Sequence, residues 1–167
     1  VVAGAGSIGC YVGGCLAAAG RRVELLLRPT LADTIGRHGL RLSDLEGAGR
    51  SLSASALTLT ADPAAALAQA QIVLVTVKCG DTAAVAELIA RHAPPDAIVV
   101  SLQNGVGNLA VLGAHLLNSQ RAVAGMVPFN VVQTRREGTA PRFHRATSGT
   151  LLIGAGVPGL RELLDVP

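Results

Sequence analysis

Strand and helix patterns alternate along this 167-residue chain, which predicts an α/β fold with a doubly wound, mostly parallel sheet. Two further observations support it. Gly4-Ala5-Gly6-Ser7-Ile8-Gly9 follows an apolar run and precedes a helical pattern, the G-x-G-x-x-G arrangement of a dinucleotide-binding βαβ unit. Ile72 to Val77 and Ile98 to Leu102 are continuous apolar runs, as strands buried on both faces require. Together these predict a single Rossmann-type domain over residues 1–167, carrying an inserted β-excursion.

The elements follow in order. Val1-Val2-Ala3 reads as the tail of a buried strand. It has only three residues before the turn, so residues upstream are expected. In the glycine turn, the first glycine permits the bend, the second lets backbone approach a pyrophosphate, and the third brings helix and strand together. Ile8, Tyr11, Val12, Cys15, Leu16 and Ala19 then recur at helical spacing, and Gly20 is placed to stop the helix. Val23 to Leu27 reads as a second strand and Thr30 to His38 as a short helix. Leu40 to Leu59 reads as the β-excursion or hairpin. It has a turn at Gly47-Ala48-Gly49, and Leu52, Ala54, Ala56 and Thr58 alternate with small polar residues.

Asp62-Pro63 resembles an N-cap with proline in the first turn, opening a helix to about Gln69. After the strand from Ile72, Asp81 can cap a helix with Val85, Leu88, Ile89 and His92 on one face, ended by Pro94-Pro95. Beyond the strand from Ile98, the residues Val106, Leu109, Ala110, Gly113, Leu116 and Leu117 form a helical face. Ala122 to Val132 is expected to be a strand broken at Pro128. Phe143 to Ile153 suggests a further strand or strand pair.

Composition narrows the function. Half the residues are apolar, yet no apolar run is long enough to span a bilayer, and the N-terminus lacks a signal-peptide pattern. Cys10, Cys15 and Cys79 show neither metal spacing nor even pairing, which fits a reducing cytoplasm; no metal site is expected. The net charge is +3, but the arginines are scattered and aromatic residues are 2% of the chain, so no nucleic-acid stacking platform is present. A phosphate-rich cofactor accounts for the positive charge.

In such a sheet, ligands bind beyond the carboxyl ends of the strands, so residues just after each strand are the candidates. Arg28 ends the second strand, where a site for the non-phosphorylated coenzyme usually places an acid on the ribose hydroxyls. A guanidinium there suits a 2′-phosphate and favours NADPH over NADH. Glu24 lies too early in that strand to serve. Lys78 must emerge at the sheet edge, because a lysine is costly inside a buried strand. It can meet a cofactor phosphate or ribose, meet a substrate carboxylate, or simply reach water. Asn104, in Gln103-Asn104-Gly105, is ordinary turn chemistry by itself, yet its amide offers a donor and an acceptor at a strand end. His38, His92, His115 and His144 are poor catalytic candidates. The segment Arg142-Phe143-His144-Arg145 reads as an edge strand or solvated face, and Asp44 and Glu46 as a solvated turn pair.

Gly4–Gly9, Arg28, Val75-Thr76-Val77-Lys78 and Gln103-Asn104-Gly105-Val106-Gly107, in this order and at these separations, resemble the ketopantoate reductase (2-dehydropantoate 2-reductase) family. The resemblance covers essentially the whole chain, as that family's N-terminal nucleotide domain. It implies reduction of a 2-keto acid, 2-dehydropantoate, to (R)-pantoate with NADPH, on the route to pantothenate and coenzyme A. By similarity, Gly4, Ala5, Gly6, Ser7, Ile8 and Gly9 hold the cofactor. Arg28 takes its 2′-phosphate, Lys78 contacts it, and Asn104 touches both cofactor and substrate. Val131, by a loose match, lies near the cofactor.

The family also carries a helical second domain with a catalytic lysine, through which a homodimer would form. Lys78 is the only lysine here and matches the cofactor-site lysine. The chain is therefore expected to be a fragment, inert by itself, that stops as Val157 to Leu164 approaches the second domain. Two other readings remain open at this stage. One is a related hydroxy-acid dehydrogenase, and the other is a non-catalytic NADPH-binding module that senses redox state.

Overall fold

A computed structural model describes residues 1–47 and 49–165. Ala48, in the middle of the expected Gly47-Ala48-Gly49 turn, and Val166 and Pro167, at the end of the expected domain, lie outside the described residues. The first half runs β1 (Val2–Ala3), α1 (Ser7–Ala18), β2 (Glu24–Leu26), α2 (Pro29–His38), β3 (Leu40–Ser43), β4 (Gly49–Leu52), β5 (Thr58–Thr60) and α3 (Pro63–Leu67). Then come β6 (Ile72–Val75), α4 (Thr82–His92), β7 (Ile98–Ser101), α5 (Asn108–His115), β8 (Arg121–Met126), β9 (Val131–Thr134), β10 (Arg142–Arg145), β11 (Leu152–Ile153) and α6 (Leu160–Leu164).

Seven strands form the main sheet, in the order β11-β8-β7-β6-β1-β2-β5. From β5 to β8 every pairing is parallel, and β11 alone runs antiparallel at the edge beside β8. Numbered by sequence, the six parallel strands give the order 3-2-1-4-5-6 of a Rossmann-type sheet. Leu16, Leu31 and Ile35 bring α1 and α2 into the core on one face. Leu67, Val85, Ile89 and Leu112 bring α3, α4 and α5 into it on the other. The expected mostly parallel α/β architecture is the one observed.

Local signals act as read in most places. Gly20 has a φ of +78° just after α1. Asp62 caps α3 by accepting from the Ala64 N–H at 2.9 Å, with Pro63 in the first turn, although the helix ends at Leu67 rather than near Gln69. Asp81 occupies the cap position of α4 without making a side-chain cap bond. A 3₁₀ turn over Cys79–Asp81 precedes that helix.

A second sheet of four strands, β4-β3-β10-β9, lies over α1. The β3–β4 hairpin is the expected excursion. Its central neighbour β10 comes from the far end of the chain and pairs parallel to β3. Leu40, Leu42 and Phe143 are buried in the core cluster that contains α1. The helix is thus clamped between two sheets, and Gly13-Gly14 makes that possible. A Cβ on Gly13 would come within 2.6 Å of Leu25 Cδ2, and one on Gly14 within 3.0 Å of Leu42 Cδ1.

Several expectations need correction. Leu52 to Thr58 is not a continuous alternating strand: a 3₁₀ turn over Ala54–Ala56 interrupts it, and Thr58–Thr60 leaves the excursion to join β2 in the main sheet. The stretch 122–132 is not one broken strand but two strands in different sheets. Arg142–Arg145 is not an edge: it is flanked by β3 and β9, and Phe143 is fully buried. The α5 face was also misread. Asn108, Leu112 and Leu116 face inward, whereas Val106, Leu109 and Leu117 are exposed. Apolar residues lie on both sides of this short helix, so periodicity could not choose between them.

Candidate functional site

The register places the candidate residues on one edge. Ala3, Leu26 and Val75 are aligned across β1, β2 and β6, and Val75 is aligned with Ser101 in β7. The chain leaves all four strands at the next residue. Across the carboxyl edge, the order is therefore Arg28 after β2, the glycine turn after β1, Lys78 after β6 and Asn104 after β7. With strands about 4.8 Å apart, the ends of β2 and β7 that lead to Arg28 and Asn104 stand about 14 Å from each other along this edge. Arg28, Lys78 and Asn104 are all exposed.

The turn is built by its neighbours. Gly4 has a φ of +76°, and the side chain of Val77 fills the space a Cβ would need. Gly9 lets α1 settle on the sheet, since a Cβ there would meet Thr76 Oγ1 at 2.5 Å and Val2 Cγ1 at 2.9 Å. The Ala5 N–H donates to Leu26 O at 3.0 Å, tying the turn to β2. The Thr76 hydroxyl ties it to β6, sharing its proton between Ala3 O at 3.2 Å and Gly4 O at 3.1 Å.

Gly6 differs. Its φ is −82°, and a Cβ there would find only Gly4 O, at 4.0 Å. The protein's own packing therefore does not demand a glycine at this position. The first intrahelical bond of α1 is Cys10 N–H to Gly6 O at 2.9 Å. The N–H groups of Ser7, Ile8 and Gly9 are the orphan donors of a helix start, and the helix dipole makes this end an anion site. The residues present fit a dinucleotide phosphate.

Sequence reasoning missed what holds the other two loops. Five polar side chains are buried among the described residues, and four of them, Thr82, Ser101, Gln103 and Asn108, gather behind Lys78 and Asn104. Gln103 Nε2 donates to Val77 O at 3.1 Å and to Thr82 Oγ1 at 2.7 Å. Asn108 Nδ2 donates to Asn104 O at 2.9 Å, and the Cys79 thiol donates to the same carbonyl at 3.1 Å. The available signal was a run of polar residues between a buried strand and a helix. Val131 opens β9 in the second sheet and is half-buried.

Other candidates stand apart. His144 Nδ1 is hydrogen-bonded to Ser43 Oγ at 3.0 Å, and His115 lies 3.5 Å from Glu87 on the neighbouring helix. Glu24 sits within β2, and burial raises its carboxyl pKa. Burial pushes the Cys10 thiol up to about 12, and its proton goes to Ala5 O at 3.2 Å. Among the described residues, no group of three His, Cys, Asp or Glu side chains is placed to hold a metal ion, and no helix is long and apolar enough to cross a membrane. A groove of about 660 Å³ lies away from the edge, between α1, the β3–β4 turn, Phe129 and α6. It shares no residue with the glycine turn, Arg28, Lys78 or Asn104.

Sheet order, glycine turn and helix start define a dinucleotide-binding domain of the kind found in dehydrogenases and reductases. A family model described as "Ketopantoate reductase PanE/ApbA" matches residues 1–157, and the chain belongs to that family. A 2-dehydropantoate 2-reductase of Halobacterium salinarum is 40% identical over 117 residues, covering 70% of this chain and 37% of that protein. The crystal structure of a PanE/ApbA family ketopantoate reductase from Ralstonia eutropha superposes with a TM-score of 0.78 at 31% identity, over 99% of this chain and 54% of the other. A D-mandelate dehydrogenase, solved with NADH and anilino(oxo)acetate, superposes with a TM-score of 0.74 at 19% identity, over 98% of this chain and 52% of the other; at that identity the likeness is one of fold. The chain thus spans about half, or less, of the length of these relatives.

Proposed function

We propose that this chain is the NADPH-binding half of a reductase that converts 2-dehydropantoate to (R)-pantoate, a step toward pantothenate and coenzyme A. The observation that carries the reading is the order of chemistry along the carboxyl edge: guanidinium, anion-binding turn, ammonium, amide. A phosphorylated dinucleotide laid along that edge meets them in the order 2′-phosphate, pyrophosphate, ribose, nicotinamide. Arg28 gives a planar fork of donors to the 2′-phosphate. The turn from Gly4 to Gly9 presents the N–H groups of Ser7, Ile8 and Gly9 and the positive end of α1 to the pyrophosphate. Lys78 supplies a second fixed charge to the cofactor, and Val131 lies near it.

When bound, the cofactor supplies a hydride for the ketone carbon. Asn104 would orient the carbonyl by donating from its amide and would also contact the nicotinamide end of the cofactor. The proton for the new hydroxyl comes from a lysine of the helical second half, as the family resemblance implies. The same resemblance makes the active protein a homodimer through that half, working in the cytoplasm.

The decisive experiment compares coenzymes. Arg28→Ala should weaken NADPH by about 10–100-fold, the range for losing charge-assisted bonds to a phosphate, while NADH changes by less than about 3-fold. Equal losses for both coenzymes would remove the assignment. The complete protein should oxidise NADPH with 2-dehydropantoate and leave mandelate-type 2-keto acids largely untouched. Indifference to the substrate would point to a related hydroxy-acid dehydrogenase instead.

A further inference from the structure

We propose that Asn108 is a positioning residue for Asn104, and that Thr82 and Gln103 behind it extend the same control to Lys78. This rests on the reading given under Proposed function and adds residues to it. Asn104 is exposed, and Gly105 follows it with a φ of +104°. Its direction is set from the buried side, where Asn108 Nδ2 at 2.9 Å and the Cys79 thiol at 3.1 Å both grip its carbonyl oxygen. With that peptide plane held, the point from which the side-chain amide leaves the loop is held too.

The grip is itself held. Asn108 Oδ1 accepts from Thr82 Oγ1 at 3.1 Å, which leaves Nδ2 to face Asn104 O and, at 3.4 Å, Gly105 O. The single Thr82 proton has Cys79 O as its other acceptor, at 2.9 Å. The Thr82 oxygen in turn accepts from Gln103 Nε2 at 2.7 Å. Gln103 spans both loops: Nε2 also holds Val77 O at 3.1 Å, and Oε1 accepts from Ser101 Oγ, at the end of β7, at 3.1 Å. Lys78 is therefore bracketed by two anchored neighbours, Val77 and Cys79. One buried network fixes the spacing of the two loops from which the ammonium and the amide project.

The burial argues for this role. Thr82 has no exposed surface, Gln103 and Asn108 are 6% exposed, and no buried polar side-chain atom among the described residues lacks a partner. Apolar side chains here would leave the Val77 and Asn104 carbonyls without these donors. A fully satisfied polar network instead specifies one geometry. It lies only at the pair of loops that carry Lys78 and Asn104, and not behind Arg28.

The test is a split between kcat and KM in the complete reductase, with 2-dehydropantoate and NADPH. Asn108→Ala should lower kcat about 100-fold, the scale of a 1 Å misplacement, while KM for NADPH moves less than about 3-fold because Arg28 anchors the far end. Thr82→Val, which keeps the volume and removes the hydroxyl, should lower kcat at least about 10-fold. Thr82→Ser should restore it to within about 3-fold of the parent. This pair decides the matter if Asn108→Ala does not fold.

Folded variants with unchanged kcat would overturn the proposal. So would a Thr82→Ser loss equal to that of Thr82→Val, or, in Asn108→Ala, a loss of NADPH affinity matching the loss of kcat, since these mark general loosening. A parent protein that binds no NADPH, read from nicotinamide fluorescence, would instead defeat the functional reading beneath it.

Discussion

Arg28 stands where the second strand delivers its last residues to the ligand edge, and its charge there is the sharpest residue-level signal in the chain. It was legible because the position is defined by counting from the glycine turn along a strand. Thr82, Gln103 and Asn108 were not legible as a unit, because the bonds that join them to one another and across the two loops span 21 to 29 residues and only folding forms them. The cysteines separate by environment in the same way. Cys10 is fully buried beneath the glycine turn, its thiol pushed up to about 12 by desolvation, whereas Cys79 is exposed beside Lys78. Alkylation at pH 8 should therefore label Cys79 within minutes and Cys10 only after denaturation. Peptide mapping by mass spectrometry reads the order, and early labelling of Cys10 would show that α1 does not pack on the sheet as described. Bound NADPH should slow the labelling of Cys79, since the cofactor would lie over the Lys78 loop.

At the scale of elements, α1 is the part whose surroundings the sequence did not announce. Its glycines were read for the phosphate turn, yet Gly13 and Gly14 serve packing between two sheets. Gly14→Val should cost about 1–3 kcal/mol by overpacking against Leu40 and Leu42, without altering the NADPH turn. For a chain of this size that is a melting shift of very roughly 2–12 °C. Thermal unfolding checks it, and an unchanged midpoint would mean that the second sheet does not press on the helix. Phe143→Ala should cost more, about 3–5 kcal/mol, because its ring is fully buried in a central strand. The strands β6 and β7 were legible because continuous apolar runs have one reading in a parallel sheet. The four-stranded sheet was only half legible: its hairpin is local, but the pairing of β3 with β10 joins residues about a hundred positions apart. Alternating patterns show that a strand exists, not which strand it meets. The same limit explains why Arg142–Arg145 read as an edge, since two arginines flank the one buried ring that reveals its true place.

For the whole molecule, cofactor binding at the proposed site should be linked to stability through the sheet edge. The turn after β1 is tied to β2 by the Ala5 N–H and to β6 by the Thr76 hydroxyl, while Gln103 ties the loop after β6 to the one after β7. A ligand lying across that edge contacts loops from four adjacent strands, and binding only to the folded state stabilises it by RT ln(1 + [L]/Kd). At a hundred times its Kd, NADPH should add about 2.7 kcal/mol, raising the melting midpoint by roughly 5–11 °C. NADH at the same concentration should raise it by clearly less, because without the 2′-phosphate it leaves Arg28 unpaired. Arg28→Ala should collapse that difference while leaving the shift with NADH nearly intact. The outcome separates two views of the positive edge. If it is a general anion surface, inorganic phosphate or ATP at matched ionic strength will reproduce the NADPH shift, and salt will erase both alike. If it is a site spaced for one phosphorylated dinucleotide, neither fragment will match the whole, because each satisfies only part of an edge about 14 Å long.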